Sequence, residues 1–172
     1  MPESSSPNEG QVSTARGQYL SFELAGEYYG VDILKVQEIR GWQPVREIPD
    51  TPDFIRGVID LRGTILPIVD LRLRFGLEPA GYGPTTVVII LTVTAPTGLM
   101  SVGIVVDTVS DVMDVDDTRI KPLPRLGTHI HVGYILGMVA GEQMVMLLDT
   151  DRLLGSADLS CSSNATQVLH DI

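Results

Sequence analysis

The sequence predicts a mainly β protein built from two similar small units. Short apolar segments are separated by many of the chain's 17 glycines and 11 prolines, a pattern typical of small barrels. Residues 55–76 return in degraded form at residues 135–155, and residues 30–39 have a fainter echo at residues 103–112. Two repeats in one chain indicate two copies of one β-rich unit.

Both copies of the longer repeat predict a hairpin followed by a helix of one or two turns. The second strand ends in Asp70 in one copy and in Asp149 in the other, and Gly76 or Gly155 closes the helix. Aspartate is a favoured residue before a helix, and glycine is favoured after one. The copies differ most at the hairpin turn, where only the first has an arginine, Arg62. We therefore expect function where the copies differ.

The first unit opens with two predicted strands. Residues 19–24 alternate between apolar and polar side chains, and a turn at residues 25–27 leads into a strand over residues 28–33. Residues 33–39 fit a helix by spacing and a strand by β-branched content. We predict a single turn that leads into a strand from about Val36.

A loop and a hairpin complete the first unit. Three prolines predict a loop over residues 42–52, with a helix start at residues 52–55. Strands are predicted at residues 57–61 and 64–69. Pro67 lies inside the second of these, which indicates a strand edge or a bulge.

The second unit predicts five strands: residues 85–94, 99–106, 109–115, 134–139 and 143–149. The first of them is almost entirely apolar, which indicates burial on both faces. A capped turn is expected at residues 116–118, and a long irregular link at residues 122–133.

The chain ends differ in composition from its body. Residues 1–16 and 156–172 have few bulky apolar side chains, so we expect a disordered N-terminal segment and a flexible C-terminal tail. The body, residues 17–155, is predicted to divide at about residue 80 into subdomains over residues 17–80 and 81–155. We expect each part to need the other, because about 70 residues bury little surface alone.

The charge balance limits the class of partner. The chain carries 12 basic and 22 acidic residues, a net charge of −10, which disfavours nucleic acids and anionic membranes. No signal segment opens the chain, and its apolar runs are too short to cross a bilayer. The single cysteine, Cys161, excludes an internal disulfide. We therefore expect a soluble cytoplasmic protein that does not insert into membranes.

No catalytic or metal-binding pattern is present in the sequence. The three histidines, His129, His131 and His170, lie in the predicted link and tail, and none is paired with a nucleophile by spacing. His129 and His131 lack a third nearby ligand. We predict no enzymatic activity, no cofactor and no metal site, which leaves surface recognition as the function class.

Arg62 is the strongest candidate for recognition. It stands at a predicted hairpin tip, where local packing requires no guanidinium; a surface arginine without a role is the alternative. Glu38 is predicted on a neighbouring strand of the same unit, so the two could pair. Because exposed pairs contribute only ~0–1 kcal/mol, such a pair would serve orientation more than stability.

Three segments, residues 28–39, 54–71 and 102–112, closely resemble the CheW-type chemotaxis coupling proteins. The resemblance covers about residues 18–155. One departure is Asp60, where the family usually has asparagine before Leu-Arg-Gly. A carboxylate there could alter the hydrogen bonding of the turn, or pair with Arg62 and limit its reach.

The resemblance implies a fold, a function and two sets of residues. The fold is two SH3-like five-stranded barrels around a shared core, with short helices. The function is a non-enzymatic adaptor that joins chemoreceptor cytoplasmic tips to the regulatory domain of a histidine autokinase, in membrane-associated arrays. The receptor-binding residues would be Leu20, Ile33, Val36, Glu38, Ile39, Val87 and Val88. The kinase-binding residues would be Arg56, Gly57, Arg62 and Gly63, with the 122–133 link toward a second, ring-closing contact.

Two other functions remain open from the sequence. A coupling paralogue could serve a non-chemotactic pathway, such as surface motility or second-messenger control. A small-molecule carrier or an enzyme is the third alternative. A kinase is excluded because the chain has neither a phosphorylatable histidine domain nor an ATP site.

Overall fold

The structure is mainly β, as predicted. The computed structural model describes residues 16–122 and 132–155; residues 1–15, 123–131 and 156–172, with all three histidines and Cys161, lie outside the described residues. The described strands are β1 (Arg16–Leu24), β2 (Glu27–Asp32), β3 (Val36–Gly41), β4 (Ile55–Leu61), β5 (Thr64–Asp70), β6 (Val87–Ala95), β7 (Gly98–Val106), β8 (Thr108–Asp116), β9 (Ile120–Lys121), β10 (Ile135–Val139) and β11 (Val145–Leu148). Two short helices, α1 (Leu71–Arg74) and α2 (Thr150–Leu154), follow β5 and β11.

The strands form two sheets, and each sheet takes strands from both halves of the chain. The six-stranded sheet has the order β8-β1-β2-β11-β10-β9, and the five-stranded sheet has the order β3-β6-β7-β5-β4. The sheets are the two SH3-like barrels of the prediction. They do not follow its division at residue 80, however, because β1 and β2 join strands of the second half, while β6 and β7 join strands of the first. Each sheet joins the halves through one antiparallel and one parallel pair. These pairs are β1 with β8 and β2 with β11 in the six-stranded sheet, and β3 with β6 and β5 with β7 in the five-stranded sheet.

A hydrophobic core is shared between the two sheets. Its main cluster combines Phe22 of β1 with Ile89 and Leu91 of β6. The intervening residues of β6, Val88 and Ile90, belong to a second cluster inside the five-stranded sheet. Successive side chains of a strand point to opposite faces, so β6 faces two cores. This confirms the prediction of a strand buried on both faces.

The two hairpins of the sequence repeat have the same pairing register. The register shifts immediately before Gly57 in β4 and immediately before Gly137 in β10. Another segment crosses each glycine closely: a Cβ on Gly57 would collide with the backbone oxygen of Arg46, and one on Gly137 would lie 2.8 Å from that of Lys121. The two glycines therefore occupy equivalent positions, as the repeat predicted.

Gly57→Ala is expected to destabilise the protein strongly. Gly57 has a φ of +148°, which L side chains rarely adopt, and its neighbour at the added methyl is rigid backbone. Strain and collision together should lower the free energy of unfolding by about 3 kcal/mol or more. A thermal melt measures the loss. Gly63→Ala is the control, since Gly63 also has a positive φ (+87°) but open space around an added Cβ. Equal melting temperatures for the two variants would contradict this account.

The turn predicted before β3 is present, whereas the helix predicted before β4 is not. The predicted turn is a single 3-10 turn over Ile33–Lys35, and β3 follows directly. The helix predicted at residues 52–55 is wrong. The Ile55 N–H donates to the Pro52 carbonyl at 3.0 Å in an isolated turn, and β4 begins at once. Pairing with β5 therefore prevails over the helix signal of Pro52.

Pro67 lies in an internal strand rather than at a sheet edge. β5 pairs with β4 from Thr64 to Val69, but its pairing with β7 covers only Ile68 to Asp70. Pro67 precedes that stretch, so its missing N–H removes no bond to β7.

Both repeat helices begin at the predicted aspartates. Asp70 Oδ1 accepts from the Arg72 N–H at 3.0 Å, and Asp149 Oδ1 accepts from the Arg152 N–H at 3.2 Å. Side-chain acceptors at this position satisfy amides that the helix itself leaves unpaired. No helix among the described residues is long and apolar enough to cross a membrane.

Candidate functional site

The 3-10 turn between β2 and β3 presents an exposed apolar side chain. Asp32 Oδ1 accepts from the Leu34 N–H at 2.9 Å, which holds the turn closed. The Leu34 side chain is 88% exposed, and Ile33 beside it packs partly against the shared core. A leucine this exposed contributes little to folding, and its place beside the predicted residues Ile33 and Val36 makes it a candidate contact residue.

The strand β3 continues this surface from the turn. Its burial alternates, with Val36, Glu38 and Arg40 half-buried between exposed residues, of which Ile39 is 46% exposed. β3 is the first strand in the order of its sheet, and β6 is its neighbour. Val87, at the start of β6, is half-buried and pairs with Gly41.

Two of the predicted receptor-binding residues are not on the surface. Leu20 is 3% exposed in the shared core, and Val88 is 4% exposed in the core of the five-stranded sheet. They were placed by position in a resemblance, which does not distinguish the two faces of a strand. Both support the surface from beneath and cannot contact a partner directly.

Glu38 is the link between the predicted receptor-binding and kinase-binding sets. Its Oε1 accepts from Arg62 at 3.0 and 2.8 Å, and its Oε2 accepts from Arg40 at 3.3 Å. The predicted Glu38–Arg62 ion pair is therefore present. The two residues are not on neighbouring strands, because β3 and β4 lie at opposite ends of the strand order. Their contact joins the two edges of the curled sheet.

The Arg62 backbone is strained. Arg62 and Gly63 form a two-residue turn between β4 and β5, and both have positive φ, +52° and +87°. Such turns favour asparagine or glycine at the first position, since other side chains there cost about 1 kcal/mol or more. A strained arginine that is 71% exposed is better explained by its guanidinium than by folding.

Asp60 shapes this turn and does not compete for Arg62. Its Oδ1 accepts from the Gly63 N–H at 2.8 Å, while the Arg62 guanidinium donates to Glu38. The Asp60 carboxylate therefore takes part in the hydrogen bonding of the turn rather than in an ion pair with Arg62.

Arg56 and Gly57 lie on β4, beneath the Arg62 turn. Arg56 is half-buried next to Tyr82. Burial raises the pKa of Tyr82, and the hydrogen bond that its hydroxyl donates to Asp70 Oδ2 at 2.7 Å raises it further, against the opposing effect of Arg56. Tyr82 also stacks on Trp42, with 4.0 Å between ring centroids. Gly57 is buried, so its role is to let the Arg46 segment cross.

The structure brings five of the eleven predicted residues together along the β3 edge of the five-stranded sheet. Ile33, Val36, Glu38 and Ile39 run along the turn and β3, and Arg62 is reached through Glu38. Sequence reasoning missed Leu34. The signal was present, because Asp32 before two apolar residues predicts a capped turn that cannot bury both.

The described residues contain no group of three or more histidine, cysteine, aspartate or glutamate side chains that could hold a metal ion. The site is an apolar ridge with charged residues on one side, an arrangement suited to contact with another protein.

Comparisons with known proteins agree with this description. The family model for the CheW-like domain matches residues 18–158. The chain is 44% identical over 155 residues to the chemotaxis protein CheW of Klebsiella aerogenes, covering 90% of this chain and 91% of the relative. It is 34% identical over 142 residues to the chemotaxis protein CheW of Rhizobium meliloti, covering 82% and 89%. The crystal structure of the scaffolding protein TtCheW from Thermoanaerobacter tengcongensis matches with a TM-score of 0.72 at 31% identity, covering 83% of this chain and 90% of that one. The chain therefore belongs to the CheW-like family of chemotaxis coupling proteins.

Proposed function

We propose that this protein is a non-enzymatic scaffold that couples the cytoplasmic tips of chemoreceptors to a histidine autokinase in chemotaxis arrays. The observation that carries the proposal is the Glu38–Arg62 pair, at 2.8 Å. It connects an apolar receptor-binding surface to a basic hairpin tip in a chain that is similar to CheW proteins over most of its length.

The proposed receptor-binding surface is the turn Ile33–Lys35 with the strand β3. Leu34 and Ile39 supply exposed apolar area, and Glu38 lies at its polar side. A chemoreceptor tip is a helical hairpin, and an apolar strip with a polar rim is what covers the apolar side of a helix.

The proposed kinase-binding surface is the tip of the β4–β5 hairpin. Glu38 holds the exposed Arg62 guanidinium through two donors, which leaves its remaining N–H groups available to a partner. Arg56 lies on the same hairpin.

Reconstitution tests this function directly. Receptor, autokinase and this protein together should give far more kinase phosphorylation than receptor and autokinase alone. The pure protein should hydrolyse no ATP. A ternary mixture with no increase in phosphorylation would reject the coupling function, and an ATPase activity lost on point mutation would reject the non-enzymatic part.

Arg62→Gly is expected to lower kinase coupling without loss of stability. Glycine relieves the positive φ, while the lost surface ion pair contributes only ~0–1 kcal/mol. Arginine is enriched among interface hot spots, each of which contributes ~2 kcal/mol or more, so affinity for the kinase should fall by about tenfold or more. The measurements are a kinase pull-down and a thermal melt. Arg40→Gly, which removes the other arginine on Glu38, is the control. Unchanged kinase binding in Arg62→Gly would show that the hairpin tip is not the kinase contact.

A coupling paralogue in a non-chemotactic pathway is the second candidate. It has less support, because the similar proteins reported above carry chemotaxis or scaffolding names. Genomic neighbourhood would distinguish the two.

The proposed location is the cytoplasm, with recruitment to membrane-associated receptor arrays. The net charge of −10 supports a protein partner over nucleic acid or direct membrane insertion.

A further inference from the structure

The helix α2 reaches the proposed receptor-binding surface through one carboxylate. Asp151 Oδ2 accepts from Lys35 Nζ at 3.0 Å, and Lys35 is the last residue of the Ile33–Lys35 turn. Asp151 Oδ1 accepts from the Thr94 N–H of β6 at 2.9 Å. One side chain thus connects the turn, β6 and α2.

The two ends of this connection differ in rigidity. On α2, Leu153 and Leu154 are fully buried in the shared core. A Cβ on Gly155, just after the helix, would lie 2.6 Å from the Thr94 carbonyl oxygen, so the helix is packed tightly onto β6. The turn, by contrast, contains no fully buried residue. The position of the turn therefore depends on the partial packing of Ile33, on its cap and on Lys35.

We infer that Asp151 is a positioning residue that orients the Ile33–Lys35 turn, and with it Leu34, for receptor binding. The inference rests on the proposed function, since it concerns the same receptor-binding surface, which α2 positions through Asp151. Burial would raise the pKa of Asp151, but the Thr94 N–H and the Lys35 ammonium outweigh it and hold this pKa below its ordinary value. The carboxylate is thus ionised at neutral pH, as the ion pair requires.

The chain provides a matched control in Asp107. Its carboxylate also accepts one backbone N–H, that of Ala25 at 2.9 Å, and one cationic side chain, Arg72 at 2.7 Å. Its side chain is 35% exposed, against 36% for Asp151. Ala25 lies in the β1–β2 turn, at the opposite end of β2 from Asp32. Asp107 therefore makes similar contacts far along β2 from the receptor-binding turn.

The test compares Asp151→Asn with Asp107→Asn in the full chain. Asparagine keeps an oxygen for the Thr94 N–H, so Asp151→Asn removes mainly the ion pair with Lys35. We expect Asp151→Asn to weaken receptor binding by roughly three- to tenfold, whereas Asp107→Asn should leave it unchanged at equal folded fraction. Lys35→Met should behave like Asp151→Asn, and the double variant should be no worse than either single one.

Hydrogen exchange of the Leu34 amide gives a readout that does not need the receptor. This N–H donates to Asp32, so its exchange reports local opening of the turn. It should speed up in Asp151→Asn and stay unchanged in Asp107→Asn. Unchanged Leu34 exchange and receptor affinity in Asp151→Asn would overturn the inference. If the wild-type protein failed to bind receptor, the proposed function would be wrong, and faster Leu34 exchange would then show only that Asp151 holds the turn.

Discussion

Leu34→Glu is expected to abolish receptor binding while the melting temperature stays unchanged. Leu34 is 88% exposed in the free protein, so the substitution should change stability by less than about 0.5 kcal/mol. Under a receptor helix the new carboxylate would lose its water without gaining a partner, which costs several kcal/mol. Each ~1.4 kcal/mol weakens binding tenfold. A receptor pull-down and a thermal melt on the same sample measure both quantities.

Met144→Glu is the matched control for this variant. Met144 is also an exposed large apolar residue, at 51%. It directly precedes Val145, which pairs with Tyr28 near the start of β2, whereas the receptor-binding turn follows the end of β2. The same change of charge there should leave receptor binding intact. If Leu34→Glu bound receptor as well as Met144→Glu does, the receptor surface would lie elsewhere.

Val36→Glu, the variant that the sequence suggests, is less informative. Val36 is half-buried and packs against the shared core. A carboxylate there would weaken receptor binding and folding together, so a loss of binding would not identify a contact. A substitution at Leu34 separates binding from folding, because its side chain is exposed and contributes little to folding.

A fragment that ends at residue 80 is expected to be unfolded, as is the fragment that begins at residue 81. The first would keep β1 and β2 without β8 and β11, their partners in the six-stranded sheet, and would leave β3 and β5 without β6 and β7. The second would lack the complementary strands. Each would expose sheet edges and half of the shared core, which no fragment of this size can offset.

Circular dichroism and hydrogen exchange on each fragment test this expectation. Mixing the two fragments is the informative control. Each sheet takes strands from both halves of the chain, so each fragment supplies the strands that the other lacks. Native-like exchange protection in either fragment alone would contradict a shared core. Protection that appears only in the mixture would support it.

The sequence alone determined the class of fold, the repeat and the family. Short apolar segments bounded by glycine, proline and turn residues predicted most strands, and the aspartates before the two repeat helices were identified correctly. These features are determined by residues close together in the sequence, so local sequence patterns predict them well. The presence of Arg62 in the first hairpin turn, where the second turn has no arginine, also pointed to the hairpin tip that the structure shows to be strained.

Only the tertiary structure decided how the halves combine and which residues reach the surface. The two sheets do not follow the division at residue 80, because strand pairing is set by partners far apart in the chain. Leu20 and Val88 were assigned to a surface that they support from within, and Leu34 was overlooked beside Ile33. The role of Asp151 depends on Thr94 and Lys35, 57 and 116 residues away in sequence. Burial and long-range contacts of this kind arise when sheets pack around a common core, so no local pattern carries them.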